Sequence, residues 1–249
     1  MDLATREREF VRVAGPEAAD YLQRMVSNDV EALVPGEACP ALLLTAKARV
    51  IAPVVVLRRA EDDFLLLTEP GLGGVVRDHL TRMRLRAQCE IEPEEHESML
   101  VLGGGMGFAT DWPGAREIID AGLVPTLSPE ELELRRIESR VPRWRREIDD
   151  RILPAEAGLD ATHVSFSKGC YPGQEPVARL HFRGHPNRAL RVLKLDVVPD
   201  YDAPLLHDGR EVGRVTSATR REDGSVVALA YVRTEVPDDA PLAVAARTG

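Results

Sequence analysis

Two apolar runs, Ala41 to Thr45 and Val50 to Arg58, stand four residues apart, and the second is rich in valine. A link as short as Ala46-Lys47-Ala48-Arg49 joins strands as a hairpin, because a parallel crossover needs about a dozen residues. The neighbouring segments follow the same local logic. Phe10 to Val13 reads as a short strand; Ala18, Leu22, Met25 and Val26 then repeat at helical spacing, with Pro16 at the helix start and Asn28-Asp29 as its closing turn. Phe64 to Thr68 reads as a third strand. Val75, Val76, His79, Leu80 and Met83 mark a second amphipathic helix, followed by strands over Leu85 to Ile91 and Ser98 to Leu102. Strands that pair locally around intervening helices predict an α+β layer rather than a doubly wound parallel sheet.

Further along, Gly103-Gly104-Gly105-Met106-Gly107 lacks the spacing of a dinucleotide loop, and Thr110 to Gly114 reads as turn rather than helix start. Ser128-Pro129-Glu130-Glu131 is a capping box that opens a helix through Leu132, Arg136 and Ile137, stopped by Pro142. Residues 151–165 are irregular. After Pro186-Asn187 the texture becomes short strands, Leu190 to Val197, Glu211 to Ala218 and Val226 to Val232, separated by Asp208-Gly209 and Asp223-Gly224 turns. The expected division is an α+β region over residues 1–182, made of two subdomains, and a small C-terminal β-barrel over 183–249 that leans on it. About 60 residues are marginal as a domain alone.

The sequence of 249 residues is 44% apolar and 29% charged, ordinary for a globular protein. No apolar run approaches ~18 residues, so no membrane span is expected, and the charged start MDLATREREF shows no secretory signal. Three scattered cysteines, Cys39, Cys89 and Cys170, form no CxxC pair, which argues against a disulfide framework and against a cysteine zinc site. A reduced, cytoplasmic protein is the expectation. The net charge of −9 disfavours nucleic acid as a direct partner. Residues 135–191 nevertheless hold 12 Lys/Arg against 7 Asp/Glu and three of the six histidines, a basic zone suited to a small anionic ligand.

Within that zone lies Lys168-Gly169-Cys170-Tyr171-Pro172-Gly173-Gln174-Glu175. Pro172 presets φ and Gly173 tolerates positive φ, so Tyr171 to Gln174 reads as a type II turn that displays its side chains. Cys170 is the candidate thiol. Lys168 and Arg179 are cations able to favour a thiolate, and Glu175 opposes it. One thiol cannot hold an iron–sulfur cluster, which wants about four cysteines. It could ligate a cluster shared with a partner, form a mixed disulfide, or attack an oxidised or one-carbon-bearing species. His163 and His181 are possible bases.

The octapeptide resembles the KGC-(Y/F)-x-GQE signature of the YgfZ family, folate-binding proteins related to the aminomethyltransferase (T-protein) of the glycine cleavage system. Arg136-Ile137-Glu138, Glu147-Ile148-Asp149 and Leu153 to Leu159 are similar to that family's central block. Gly15 to Val30 is similar to its opening helix and (T/S)ND turn, and Gly213 to Ser217 with Ala228 to Arg233 to its terminal barrel. The resemblance implies a tetrahydrofolate or derivative as cofactor. Its candidate pocket residues are Asn28, Asp29, Arg136, Trp144, Arg146, Tyr171, Gln174, Glu175 and Arg179. Trp144 and Tyr171 offer stacking faces, and Arg146 and Arg179 offer cations for a glutamate tail. The implied role is support of iron–sulfur protein assembly or repair, with tRNA modification affected indirectly through iron–sulfur enzymes. The implied partners are a folate and iron–sulfur client or assembly proteins, without direct nucleic acid or membrane. Two alternatives stand beside it: a folate-dependent aminomethyl transferase, and a thiol-redox or scaffold protein without folate. T-proteins carry an aspartate in the strand that here reads Ala52-Pro53-Val54-Val55-Val56, and their glutamate-bearing segment is shortened here around Ala115 to Ile118. The first departure argues against aminomethyl transfer, and the second leaves the pterin without its expected glutamate partner.

Overall fold

Three antiparallel sheets carry the chain in a computed structural model that describes residues 1–245. The strands in chain order are β1 (Asp2–Thr5), β2 (Glu9–Ala14), β3 (Ala38–Leu44), β4 (Val50–Ala60), β5 (Asp63–Thr68), β6 (Glu90–Glu94), β7 (Ser98–Leu102), β8 (Phe108–Ala109) and β9 (Ala115–Ile119). The first sheet has the order β3-β4-β5-β2-β6, with the β3–β4 hairpin at its edge. Helices α1 (Ala18–Met25) and α2 (Gly73–Met83) bury Leu22, Met25, Val76 and Leu80 against Val11, Val13, Val54, Val56 and Leu66. The opposite face buries Phe10, Val55, Leu57, Leu65 and Leu67. Burial on both faces is why β4 and β5 read as unbroken apolar runs rather than alternating ones.

The second sheet, β1-β7-β9-β8, leads into α3 (Pro129–Glu138). The capping box opens that helix: Glu131 N donates to Ser128 Oγ at 3.2 Å, and Ser128 N to Glu131 Oε2 at 2.7 Å. The third sheet joins β10 (Arg188–Leu195), β11 (Pro204–His207), β12 (Arg210–Arg220), β13 (Val226–Arg233) and β14 (Ala243–Val244) in the order β10-β13-β12-β11-β14. It occupies the place expected of the small barrel, and among the described residues its outer strands β10 and β14 do not pair with each other. On β13, Ala228, Ala230 and Val232 face this sheet's own core, while Val227, Leu229 and Tyr231 pack with Leu42, Leu44 and Val50 of the first sheet.

Some local expectations shift. Helix α1 begins at Ala18, two residues after Pro16. The strand expected from Leu85 begins at Glu90, because Leu85 adopts a φ of 52° and lies 88% exposed. Helix α4 (Gln174–Arg183), which follows directly on the octapeptide turn, was not legible in the apolar spacing.

Candidate functional site

The octapeptide forms the predicted turn. Gly173 has φ 82° and ψ 3°, and Gln174 N donates to Tyr171 O at 3.3 Å. Gly173 also packs directly against the β3–β4 hairpin. A Cβ there would lie 2.6 Å from Thr45 O and 3.2 Å from Ala48 Cα, so only glycine lets the two turns meet. Beyond the turn, α4 anchors itself through buried Val177.

The side chains of the motif diverge. Lys168 is buried, and its Nζ donates to the carbonyls of Gln23, Val26 and Asn28 at 2.6, 2.7 and 2.8 Å. All three of its protons therefore close the C-terminal end of α1 and the turn after it. Burial pushes its pKa down to about 8, with Asp29 pulling the other way. Tyr171 is buried too, 5.4 Å from that ammonium by its ring centroid, and burial pushes its phenol up to about 12. Cys170 lies exposed between them, while Glu175 and Arg179 are exposed and Gln174 half-buried.

The (T/S)ND turn faces inward. Ser27 Oγ donates to His163 O at 2.6 Å and accepts from Leu42 N at 2.8 Å; Asn28 Nδ2 reaches Pro40 O at 2.7 Å and Thr162 O at 3.2 Å. Asp29 Oδ1 accepts from Gln23 Nε2 at 3.0 Å. These bonds stitch the loop that precedes the octapeptide to the first sheet. His163, on that loop, is fully enclosed, and burial pushes its imidazole down to about 4. Ser27 was marked by the (T/S)ND resemblance, and His163, offered as a possible base, is enclosed instead.

The central block is likewise internal. Arg136 has all five N–H groups on protein acceptors: Glu133 twice, Val141 O, Glu147 and Ser217 Oγ. Ser217 Oγ in turn donates to Glu147 Oε1 at 2.7 Å, and Tyr231 Oη to Glu147 O at 2.7 Å. Arg136 and Glu147 thus bind α3 to the third sheet. Glu117, in the shortened segment, is fully buried and accepts from Arg8 and Ser98.

Trp144 has a different setting. It packs half-buried against two cores and lines a hollow of about 640 Å³ with Thr45, Lys47, Arg49, Ile51 and Asp150. The hairpin turn that meets Gly173 on one side thus borders this hollow on the other. Lys47 and Arg49, two cations in a four-residue turn, were the available sequence signal for it. Arg146 is exposed and lies over the Tyr201 ring at 5.0 Å. Among the described residues no cluster of three or more His, Cys, Asp or Glu could hold a metal, and no helix is long and apolar enough to cross a membrane.

The GCVT N-terminal domain family matches residues 5–106. Relatives extend the match along the chain. The tRNA-modifying protein YgfZ of Edwardsiella ictaluri is 26% identical, with 94% of this chain and 85% of that protein covered. Over most of its length the chain is similar to YgfZ proteins. A second relative, the mitochondrial iron-sulfur cluster assembly factor IBA57 homolog of Neurospora crassa, is 23% identical over 94% of this chain and 70% of its own. The crystal structure of the glycine cleavage system aminomethyltransferase T from Bartonella henselae superposes with a TM-score of 0.80 at 16% identity, over 99% of this chain and 82% of that one. The fold is therefore the T-protein fold, and its α+β architecture is the one expected.

Proposed function

We propose that this protein binds a tetrahydrofolate and supports assembly or repair of iron–sulfur proteins in a reduced cytoplasm, with Cys170 as the working thiol. Effects on tRNA modification follow through iron–sulfur enzymes. The observation that carries this reading is the exposure of Cys170 on a turn whose flanking groups are buried, Lys168 through three hydrogen bonds and Tyr171 beneath its ammonium. A thiol held at the surface by a rigid frame is open to a partner protein, whereas Cys39 and Cys89 are not. The names of the YgfZ and IBA57 relatives point the same way.

For the folate, the Trp144 hollow supplies the parts a pterin-glutamate needs: a ring face, the carboxylate of Asp150 for a pterin edge, and Lys47 and Arg49 for tail carboxylates. When bound, a tetrahydrofolate supplies one-carbon chemistry. The chain's own residues orient it, and the shared hairpin turn couples the hollow to the octapeptide. In this reading residues 1–182 carry hollow and thiol, and residues 183–249 brace them through Arg136, Glu147 and Ser217. Calorimetric titration with tetrahydrofolate should show binding that weakens about tenfold or more in Trp144→Ala. In cells lacking the protein, Cys170→Ala should fail to restore iron–sulfur enzyme activity; full restoration would refute the role of the thiol.

A second reading, a thiol scaffold without folate, is favoured by one observation: Arg136 has no N–H left for a ligand. No tetrahydrofolate binding together with a failing Cys170→Ala would select it. Aminomethyl transfer is disfavoured because Ala52 to Val56 offers no carboxylate and is buried. Measured methylene transfer to a lipoyl-amine carrier would revive it.

A further inference from the structure

The third sheet borders the largest of the hollows described here, about 930 Å³, whose walls include none of Cys170, Trp144, Lys47 or Arg49. Its antiparallel register sets Arg188 of β10 directly opposite Arg233 of β13, and Arg214 of β12 directly opposite Tyr231. Residues 231 and 233 are two apart on one strand, so these side chains share a face. Like charges directly opposite one another destabilise a sheet. In a chain of net charge −9, three arginines gathered on one face call for a counter-charge.

The same walls carry three carboxylates, Glu156, Glu211 and Glu235, but these leave part of the guanidinium edges unbonded. Arg188 is tethered through Nε to Glu156 Oε1 at 2.9 Å, and the other oxygen of Glu156 accepts from Leu153 N at 2.9 Å. Arg214 is tethered through Nη1 to Asp202 Oδ1 at 2.6 Å. Arg233 has only a 3.7 Å ion pair with Glu235, both largely exposed. Among the described residues, the terminal nitrogens of Arg188 and the guanidinium of Arg233 have no hydrogen-bond acceptor. The tethers fix direction: the guanidinium carbons of Arg188 and Arg214 lie 5.1 and 5.7 Å from the centroid of the buried Tyr231 ring, which forms a wall of the hollow. Arg188, pinned through Nε with its terminal nitrogens free, is suited to bidentate capture of an oxyanion, with Arg233 beside it and Arg214, held by Asp202 and Tyr201, adding positive charge.

We propose that this hollow binds a small molecule through an oxyanion group, a carboxylate or a phosphate, held by Arg188, Arg214 and Arg233. Its volume fits a ligand of metabolite size. The site is independent of the folate reading, since its walls are different residues.

The test is calorimetric titration of the full chain with two probes, inorganic phosphate and citrate, in wild type, Arg233→Gln, Arg188→Gln and the exposed control Arg24→Gln. Saturable binding of at least one probe is expected. It should weaken about tenfold in Arg233→Gln, which touches no buried group and so keeps the fold, and in Arg188→Gln, while Arg24→Gln matches wild type. Preference for phosphate assigns a phosphate ester; preference for citrate assigns a carboxylate ligand. No saturable binding of either probe, or equal binding in Arg233→Gln and Arg24→Gln, overturns the proposal.

Discussion

The octapeptide turn and the central block around Arg136 hold the residues that the sequence marks most strongly, and the fold uses them in opposite ways. In the central block Arg136 and Glu147 are turned inward and saturated: with Ser217 they form a closed hydrogen-bonded set between α3 and the third sheet. In the octapeptide the cation, Lys168, is turned inward and the reactive group, Cys170, outward. A motif residue is thus no guide to a ligand until its hydrogen bonds are counted. A saturated residue builds the frame, and an exposed one is left for chemistry.

The sharpest way to break this contrast is to unpair the central block. Glu147→Ala leaves Arg136 buried beside an empty acceptor position, and should cost about 4 kcal/mol in denaturant unfolding. A loss under ~1 kcal/mol would mean that the block is not the joint described. The anchorage behind the octapeptide is tested by pH. His163 is held near 4 by burial, whereas an unfolded chain takes up its proton near 6.5. The contribution is therefore fully present above pH ~6.5 and lost as pH falls towards 4, a decline of about 3 kcal/mol. Unfolding curves from pH 7 to 4.5 should show the decline, and His163→Gln should flatten it. Next comes the contact of the two turns. Gly173→Ala puts a Cβ 2.6 Å from Thr45 O at a φ of 82°, and should cost about 2 kcal/mol. Proteolysis at the hairpin turn should rise with it. The smallest effect belongs to the thiol itself. Cys170→Ser should leave stability within about 0.5 kcal/mol of wild type. In the folded protein an aromatic disulfide reagent should label Cys170 quickly. Cys39, whose thiol burial pushes up to about 12, and Cys89, raised for the same reason, should lag.

Much of this architecture is legible locally. The β3–β4 hairpin, the Tyr171–Gln174 turn and the Ser128 capping box each depend on residues a few positions apart, so spacing suffices to find them. The candidate site is legible only in part. Cys170 and Trp144 were marked by residue type and resemblance, and the one is exposed while the other lines a hollow. Arg136 was marked for the same reason, yet its partner Ser217 lies 81 residues away, and the carbonyls bound by Lys168 lie 140 to 145 residues away. No pattern in the chain announces such pairings. Helix α4 was hidden because only Val177 among its residues is buried, too little for a periodic apolar stripe.

The order of hairpins, caps and turns, and the identity of the reactive sulfur, were written into the chain, because each rests on φ/ψ preference or on the chemistry of single side chains. Which cations remain open to a ligand was decided by packing. An N–H donor serves one strong acceptor at a time, and distant backbone carbonyls brought together by the fold claimed Lys168 as distant side chains claimed Arg136.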